Sequence, residues 1–221
     1  MLNIYLDSSN YKNVFVIGDL HGKLDLFQKK LRLVNFNKET DLLISLGDLV
    51  DRGEKSLECL HLLKEPWFTC VRGNHEQFII EYMNPEKENR KFSNMQLHYR
   101  NGGDWFYDLS ETVQKECYQL VKDLPYIITT EINNELIGFI HADVPAEDWN
   151  VIVENLDKEY VLEQLIWGRT KIANNDNTTI TNIDKIYLGH TILNEPKQLG
   201  NCFYIDTGAY YYNNLTILKI K

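Results

Sequence analysis

Arg72-Gly73-Asn74-His75-Glu76 follows the short apolar run Trp67-Phe68-Thr69-Cys70-Val71. Alone, an Asn beside a His after a strand-like segment is an ordinary turn signal. Two upstream stretches change that reading: Gly18-Asp19-Leu20-His21-Gly22 and Gly47-Asp48-Leu49-Val50-Asp51-Arg52-Gly53, each also preceded by an apolar run. Three strand ends then bring Asp19, His21, Asp48 and Asn74 to one edge of a sheet, with His75 as a spare imidazole beside them.

The runs themselves support this arrangement. Asn13–Ile17, Asp41–Leu46 and Trp67–Val71 are nearly continuous in apolar residues, as strands buried on both faces are. Between them, Lys23–Val34 places Leu24, Phe27, Leu31 and Val34 at helical spacing. Ser56–Leu63 does the same with Leu57, Leu60 and Leu63, and Glu76–Met83 opens a third helix. The β-α-β-α-β-α order predicts an α/β fold with parallel strands, whose ligands bind beyond the carboxyl ends of the strands. Farther on, Asn84–Arg100 is polar and reads as an irregular or helical excursion, and Asn101-Gly-Gly-Asp104 as a turn. Thr112–Leu124 predicts a helix stopped by Pro125. Tyr126–Glu131 and Leu136–Ile140 predict a hairpin about Asn133-Asn134, its second strand ending at His141. A helix over Lys158–Trp167 is followed by Gly168-Arg169, and a strand over Lys185–Leu188 by Gly189-His190. Cys202–Ile205 and Leu215–Ile220 read as further strands. No repeat or linker divides the chain, so one domain over 1–221 is expected.

Composition narrows the class. A formal net charge of −9 argues against a non-specific nucleic-acid binder. The four cysteines lack C-x-x-C spacing, and Cys59 and Cys70 lie among apolar residues as small hydrophobes, so a reducing compartment fits. The N-terminus has no signal-peptide pattern, and no apolar run approaches the ~20 residues that span a bilayer. A cytoplasmic protein with no membrane partner is expected.

Six residues at strand ends, Asp19, His21, Asp48, Asn74, His141 and His190, form a donor set for two divalent ions, with Asp48 able to bridge them. A strand-end His is usually a packed or surface residue, and an Asp after Gly is usually a turn former. Six such positions in one chain weaken that explanation. Of the remaining histidines, His61 and His98 read as surface or packing residues. Mixed carboxylate and imidazole donors suit Mn, Fe, Zn or Co better than Mg or Ca alone. A water shared by two ions becomes a nucleophile near neutral pH, and the ion pair clamps an in-line displacement. His75 is placed to act as general acid, with Asp51 orienting its ring. Arg52 and Arg72 flank the site and suit phosphate oxygens.

The three motifs resemble the signatures of the phosphoprotein phosphatase (PPP) family of metallophosphatases, most closely its short bacterial and bacteriophage branch. The resemblance extends through Leu42-Leu-Ile-Ser, Pro66-Trp-Phe, Asn101-Gly-Gly, His141-Ala-Asp, Ile166-Trp, Gly189-His-Thr and Tyr204-Ile-Asp-Thr-Gly-Ala. It implies a metallophosphoesterase-type central β-sandwich flanked by helices, with two Mn²⁺-type ions for which Fe, Zn, Ni or Co can stand in. One ion would take Asp19, His21 and Asp48; the other Asp48, Asn74, His141 and His190. His75 would be the acid, supported by Asp51, and Arg52, Arg72 and Arg169 would grip the phosphate. Arg169 enters only through the resemblance, from its place after Trp167. Where the eukaryotic branch has Gly-Gly after the histidine corresponding to His141, this chain has Ala142-Asp143. Regulatory-subunit binding is therefore not expected.

The implied activity is removal of phosphate from phosphoserine and phosphothreonine, with phosphotyrosine a possible third substrate, in phosphoproteins or phosphopeptides. A symmetrical dinucleoside-tetraphosphate hydrolase shares much of the motif set. Glu76 and the run Asp51-Arg52-Gly53 favour the protein phosphatase. A phosphopeptide-binding module without catalysis is the third reading, opposed by the complete donor set.

Overall fold

The structure is a computed structural model that describes residues 2–84 and 91–221, the side chains of 91–93 excepted. The chain runs β1 (Asn3–Tyr5), β2 (Asn13–Ile17), α1 (Leu24–Leu33), β3 (Asp41–Ser45), α2 (Ser56–Leu60), β4 (Phe68–Cys70) and α3 (Asn74–Met83). Next come α4 (Lys91–Arg100), α5 (Asp104–Tyr107), α6 (Glu111–Val121), β5 (Ile127–Ile132) and β6 (Glu135–Phe139). The last third holds α7 (Trp149–Glu154), α8 (Glu159–Trp167), α9 (Thr170–Ala173), β7 (Lys185–Leu188), β8 (Lys197–Leu199), β9 (Cys202–Tyr204), α10 (Ala209–Tyr212) and β10 (Ile217–Lys219).

Two sheets form. One has the order β10-β2-β3-β4, the other β1-β5-β6-β7-β9-β8. In the first, β2, β3 and β4 are parallel and β10 is antiparallel. The continuous apolar runs have a direct cause. Along β2, Val14 and Val16 face the second sheet, packing in one core with Ile128, Ile137, Phe139 and Tyr187. Phe15 and Ile17 face the other way, into a core with Phe27, Leu31, Leu60 and Val121 of the covering helices. A third core packs α7 and α8, through Trp149, Ile152, Val161 and Leu165, against Ile186 and Leu188 of β7. The predicted α/β sandwich flanked by helices is the observed one. Each strand buried on both faces loses the polar alternation of a half-exposed strand.

Details differ from the sequence reading. The Ser56–Leu63 helix is α only to Leu60 and tightens to a 3₁₀ turn over His61–Lys64. Helix α3 begins at Asn74, two residues before the expected start, so Asn74 and His75 belong to its first turn. Of the excursion expected over Asn84–Arg100, residues 85–90 lie outside the described residues, and the rest is helix α4. The expected hairpin turn is present: Asn133 and Asn134 have φ of 54° and 64°, the pair of positive angles that a tight two-residue hairpin needs and that Asn tolerates. All four cysteines are buried and free. Among the described residues no helix is long and apolar enough to cross a membrane.

Candidate metal centre

Each expected donor lies just past a strand end: Asp19 and His21 after β2, Asp48 after β3, Asn74 after β4, His141 after β6 and His190 after β7. The turns that aim them are unusual backbone. His21, Asp48, Asp51, Arg52 and His190 have φ of 43°, 50°, 72°, 68° and 63°. This left-handed region costs a non-glycine residue roughly 1–3 kcal/mol and persists only where surrounding structure fixes it.

All six donors are buried. His21, Asp48 and His75 present atoms within 4.8 Å of one another, and so do Asp48, His141 and His190. Asp48 is common to both groups. The ring tautomers are set from behind. His21 Nδ1 donates to the Val50 carbonyl at 2.9 Å, and His141 Nδ1 to the Leu46 carbonyl at 2.6 Å. Each Nε2 is thereby turned inward, as a metal-binding imidazole requires. His141 Nε2 lies 2.9 Å from Asn74 Oδ1, 3.1 Å from His190 Nδ1 and 3.4 Å from Asp48 Oδ1. His21 Nε2 lies 3.6 Å from Asp48 Oδ2 and 3.9 Å from Asp19 Oδ2. Asp19 also accepts from the His190 amide, tying the two ends of the site together.

The donor chemistry fits divalent cations. His190 Nε2 is buried with no protein hydrogen-bond partner. Burial, with its neighbour His75, pushes His21 down to about 3, and burial, with the charge of His141, lowers His190, leaving both imidazoles neutral. Burial would lower His141 as well, but the Asp48 carboxylate raises it to about 9. Asp19 is held well above the carboxylate range by burial and by Asp206, and Asp206 is raised to about 6 by burial. Three buried carboxyl groups, Asp19, Asp48 and Asp206, thus act on one another's charge. Such a set is stable when positive charge joins it.

His75 shares the first of these groups with His21 and Asp48. Its Nδ1 lies 2.5 Å from Asp51 Oδ2, and its Nε2 points back toward Asp48 Oδ2 at 3.8 Å. Burial opposes a charge on this ring, but Asp48 and Asp51 outweigh it and raise its pKa above the ordinary histidine value. The ring is edge-on to His21 with centroids 4.6 Å apart.

Glu76 fastens the loops together. Its Oε2 accepts from the amides of Asp48 at 2.9 Å and Gly73 at 3.0 Å, and its Oε1 from Leu49 at 2.8 Å. One buried carboxylate therefore satisfies three amides that have no strand partner. Gly73 must be glycine here, because a Cβ would overlap the Asp48 carboxylate. Glu76→Ala is expected to lower stability by about 3 kcal/mol or more, since hydrogen bonds to a charged group contribute ~1.5–3 kcal/mol and the amides are left buried. Urea unfolding of the two proteins measures this; a loss under about 1 kcal/mol would show that the loops hold without the strap.

The three arginines part company. Arg52 is in the site: Nη1 reaches His21 Nε2 at 2.5 Å and Nη2 reaches His75 Nε2 at 3.0 Å, with the guanidinium 5.6 Å from the Tyr211 ring centroid. Arg169 is exposed at the start of α9, close enough for its charge to act on His190. Asp143 steadies that turn by accepting from the Thr170 amide at 2.6 Å. Arg72 is turned elsewhere. It donates to the carbonyls of Lys122 at 2.8 Å and Leu124 at 2.9 Å, stacks on Tyr126, and reaches Gln77. Its backbone neighbour Gly73 is held at the site while its side chain braces the approach to β5.

Two site residues escaped the sequence reading. Asp206 follows the apolar run Cys202–Ile205, the same strand-then-Asp pattern that marked the other donors. His98, read as a surface or packing residue, is fully buried with Nε2 2.9 Å from Asp51 Oδ2. The packing half of that reading holds, and the contact with Asp51 was hidden because the two residues are 47 positions apart.

The chain matches the calcineurin-like phosphoesterase family over residues 12–193. It is 36% identical over 219 residues to serine/threonine-protein phosphatase 1 of Salmonella typhimurium, covering 98% of this chain and 95% of that one. A shorter similarity, 46% over 68 residues, relates it to the symmetrical bis(5′-nucleosyl)-tetraphosphatase of Actinobacillus pleuropneumoniae, covering 30% of this chain and 25% of that one. In three dimensions it superposes on a protein serine/threonine phosphatase from Saccharomyces cerevisiae with a TM-score of 0.59 at 18% identity, covering 99% of this chain and 82% of that one. That last likeness is one of fold.

Proposed function

Because the chain belongs to the calcineurin-like phosphoesterase family, we propose that it is a metal-dependent phosphomonoester hydrolase that removes phosphate from phosphoserine and phosphothreonine of proteins, with phosphotyrosine as a further substrate. The observation that carries this reading is the Asp48 carboxylate, common to two groups of close-set side chains, one with His21 and His75 and the other with His141 and His190. Similarity over nearly the whole length to a serine/threonine phosphatase supports the substrate class. The nucleotide-hydrolase similarity covers less than a third of the chain. The whole chain is read as one domain that needs no regulatory subunit and no nucleic acid.

Asp19, His21 and Asp48 would hold one ion, and Asp48, Asn74, His141 and His190 the other, with Mn²⁺ as the first choice and Fe, Zn, Ni or Co as substitutes. When bound, such a pair acidifies a water toward neutral pH and stabilises the charge of an in-line displacement. The chain's own groups do the rest. Arg52 lies where a phosphate oxygen would approach, and its planar fork suits two such oxygens. Arg169 adds charge at the His190 side. Arg72 joins them only after releasing the carbonyls of Lys122 and Leu124. His75 Nε2 donates a proton to the departing serine or threonine oxygen, while Asp51 holds its Nδ1.

The test is turnover of p-nitrophenyl phosphate by chelated protein titrated with Mn²⁺, Mg²⁺, Ni²⁺ and Zn²⁺, followed by a phosphoserine peptide against diadenosine tetraphosphate. Mn²⁺-dependent turnover with preference for the peptide is expected. A large preference for the dinucleotide would transfer the chain to nucleotide hydrolysis. A folded protein inert with every ion would leave phosphopeptide binding without catalysis.

A further inference from the structure

His98 is a histidine with a complete set of partners and no part in the donor groups. Its ring is fully buried on α4 and stacks on Phe78, with centroids 5.0 Å apart and planes within 22°. On another side lies Gly103, where any Cβ would overlap the ring and whose amide donates to the His98 carbonyl at 3.0 Å. Only glycine lets the chain pass this close. His98 Nε2 is 2.9 Å from Asp51 Oδ2, and Nδ1 is 3.0 Å from the Tyr107 hydroxyl.

The partners fix the tautomer. An ionised carboxylate only accepts, so Nε2 must carry the proton that faces Asp51. Nδ1 then accepts from the Tyr107 hydroxyl. With the proton on Nδ1 instead, the Nε2 lone pair would face a buried carboxylate. Asp51 thus selects the tautomer of His98, and Tyr107 satisfies the nitrogen left as acceptor.

Asp51 is clamped from every direction. Oδ2 accepts from both His75 and His98, Oδ1 accepts from Trp105 Nε1 at 2.6 Å, and the backbone amide donates to Ser56 Oγ at 2.9 Å. Burial alone would raise this carboxyl, but the hydrogen bonds of the two imidazoles hold it well below the ordinary range. With both oxygens occupied the carboxylate cannot rotate. The direction of the His75 ring, and hence of its Nε2, follows from that. A proton donor must come within about 2.6–3.2 Å of the atom it protonates, so a wandering ring loses the reaction.

We propose that His98 is a positioning residue for leaving-group protonation: held by Phe78, Gly103 and Tyr107, it locks the Asp51 carboxylate that orients His75. The inference rests on the reading of His75 as general acid. It places the control of that acid on α4, a helix outside all three signature motifs.

Leaving-group chemistry tests it. A serine alkoxide needs a proton as it departs, whereas p-nitrophenolate is a stabilised anion that needs little help. The full-length protein with Mn²⁺ is assayed on a phosphoserine peptide and on p-nitrophenyl phosphate, as wild type, His98→Phe, Tyr107→Phe, His98→Gln and His75→Asn. His98→Phe keeps the ring stacking and removes the donor. It is expected to lower kcat on the peptide by about 10–100-fold, the usual effect of losing an orienting partner, and to lower the ratio of peptide to p-nitrophenyl phosphate turnover by about 10-fold or more. Tyr107→Phe moves the ratio in the same direction by less, and His98→Gln, which keeps an N–H donor, recovers part of it. Tyr107→Phe deletes a single oxygen, so it carries the test even if His98→Phe fails to fold. Equal losses on both substrates, or none, in His98→Phe and Tyr107→Phe would overturn the proposal. If His75→Asn itself shows no leaving-group selectivity, the general-acid reading fails first. Selectivity in His75→Asn without it in the other variants would sink the His98 role alone.

Discussion

Asp48→Asn is expected to strip both ions together and to reduce kcat by more than loss of the general acid does. Asn is a clean probe at this position. It tolerates the φ of 50° that Asp48 adopts, and its amide oxygen can still accept from the His75 amide, as Asp48 Oδ1 does at 3.0 Å. Its backbone N–H still donates to Glu76 Oε2 as before. What disappears is one negative charge and the second coordinating oxygen. Because Asp48 belongs to both donor groups, neither ion would keep its full set. Metal analysis of the purified variant, and calorimetric titration with Mn²⁺, would show stoichiometry falling from two toward zero. Two ions still bound would refute the bridging assignment.

His75→Asn separates chemistry from metal binding. The side chain gives Nδ1 to Asp51 and belongs to the first turn of α3, beside Asn74 rather than in its place. The variant should therefore keep both ions while kcat on a phosphoserine peptide falls ~10²–10⁴-fold, the contribution of a placed general acid. At 1.36 kcal/mol per tenfold, that is about 2.7–5.4 kcal/mol of transition-state stabilisation. Unchanged turnover of the peptide would remove His75 from the acid role. Loss of ions alongside activity would make it a ligand instead.

The parts of the molecule legible in the sequence share a cause. β2, β3 and β4 are packed between a second sheet and covering helices, so both faces select apolar residues and the run is visible without alternation. Each such strand runs into a glycine followed directly by a donor, which made Asp19, Asp48 and Asn74 visible by position. Strands β1 and β8 left no such mark. Each is three residues long and half or fully exposed along most of its length, and the pairing of β1 with β5 joins residues more than a hundred positions apart. The direction of the Arg72 side chain was equally hidden, because its carbonyl partners arrive from the turn after α6. His98 shows the limit most clearly. Nothing in Gln96-Leu97-His98-Tyr99 distinguishes a solvated histidine from one held against Asp51, and only the fold supplies the carboxylate.

The bond from the His190 amide to the Asp19 carboxylate crosses 171 positions of chain, and β10 closes on β2 from the far end of the described sequence. During synthesis Asp19, His21, Asp48 and Asn74 therefore leave the ribosome well before His141 and His190 exist. For that interval the first sheet lacks its β10 edge, and β2 presents unpaired backbone that invites association with other chains. Contacts this distant close slowly because the intervening loop entropy is lost before the contact is gained. Ion capture by the full donor set is consequently among the last events of folding.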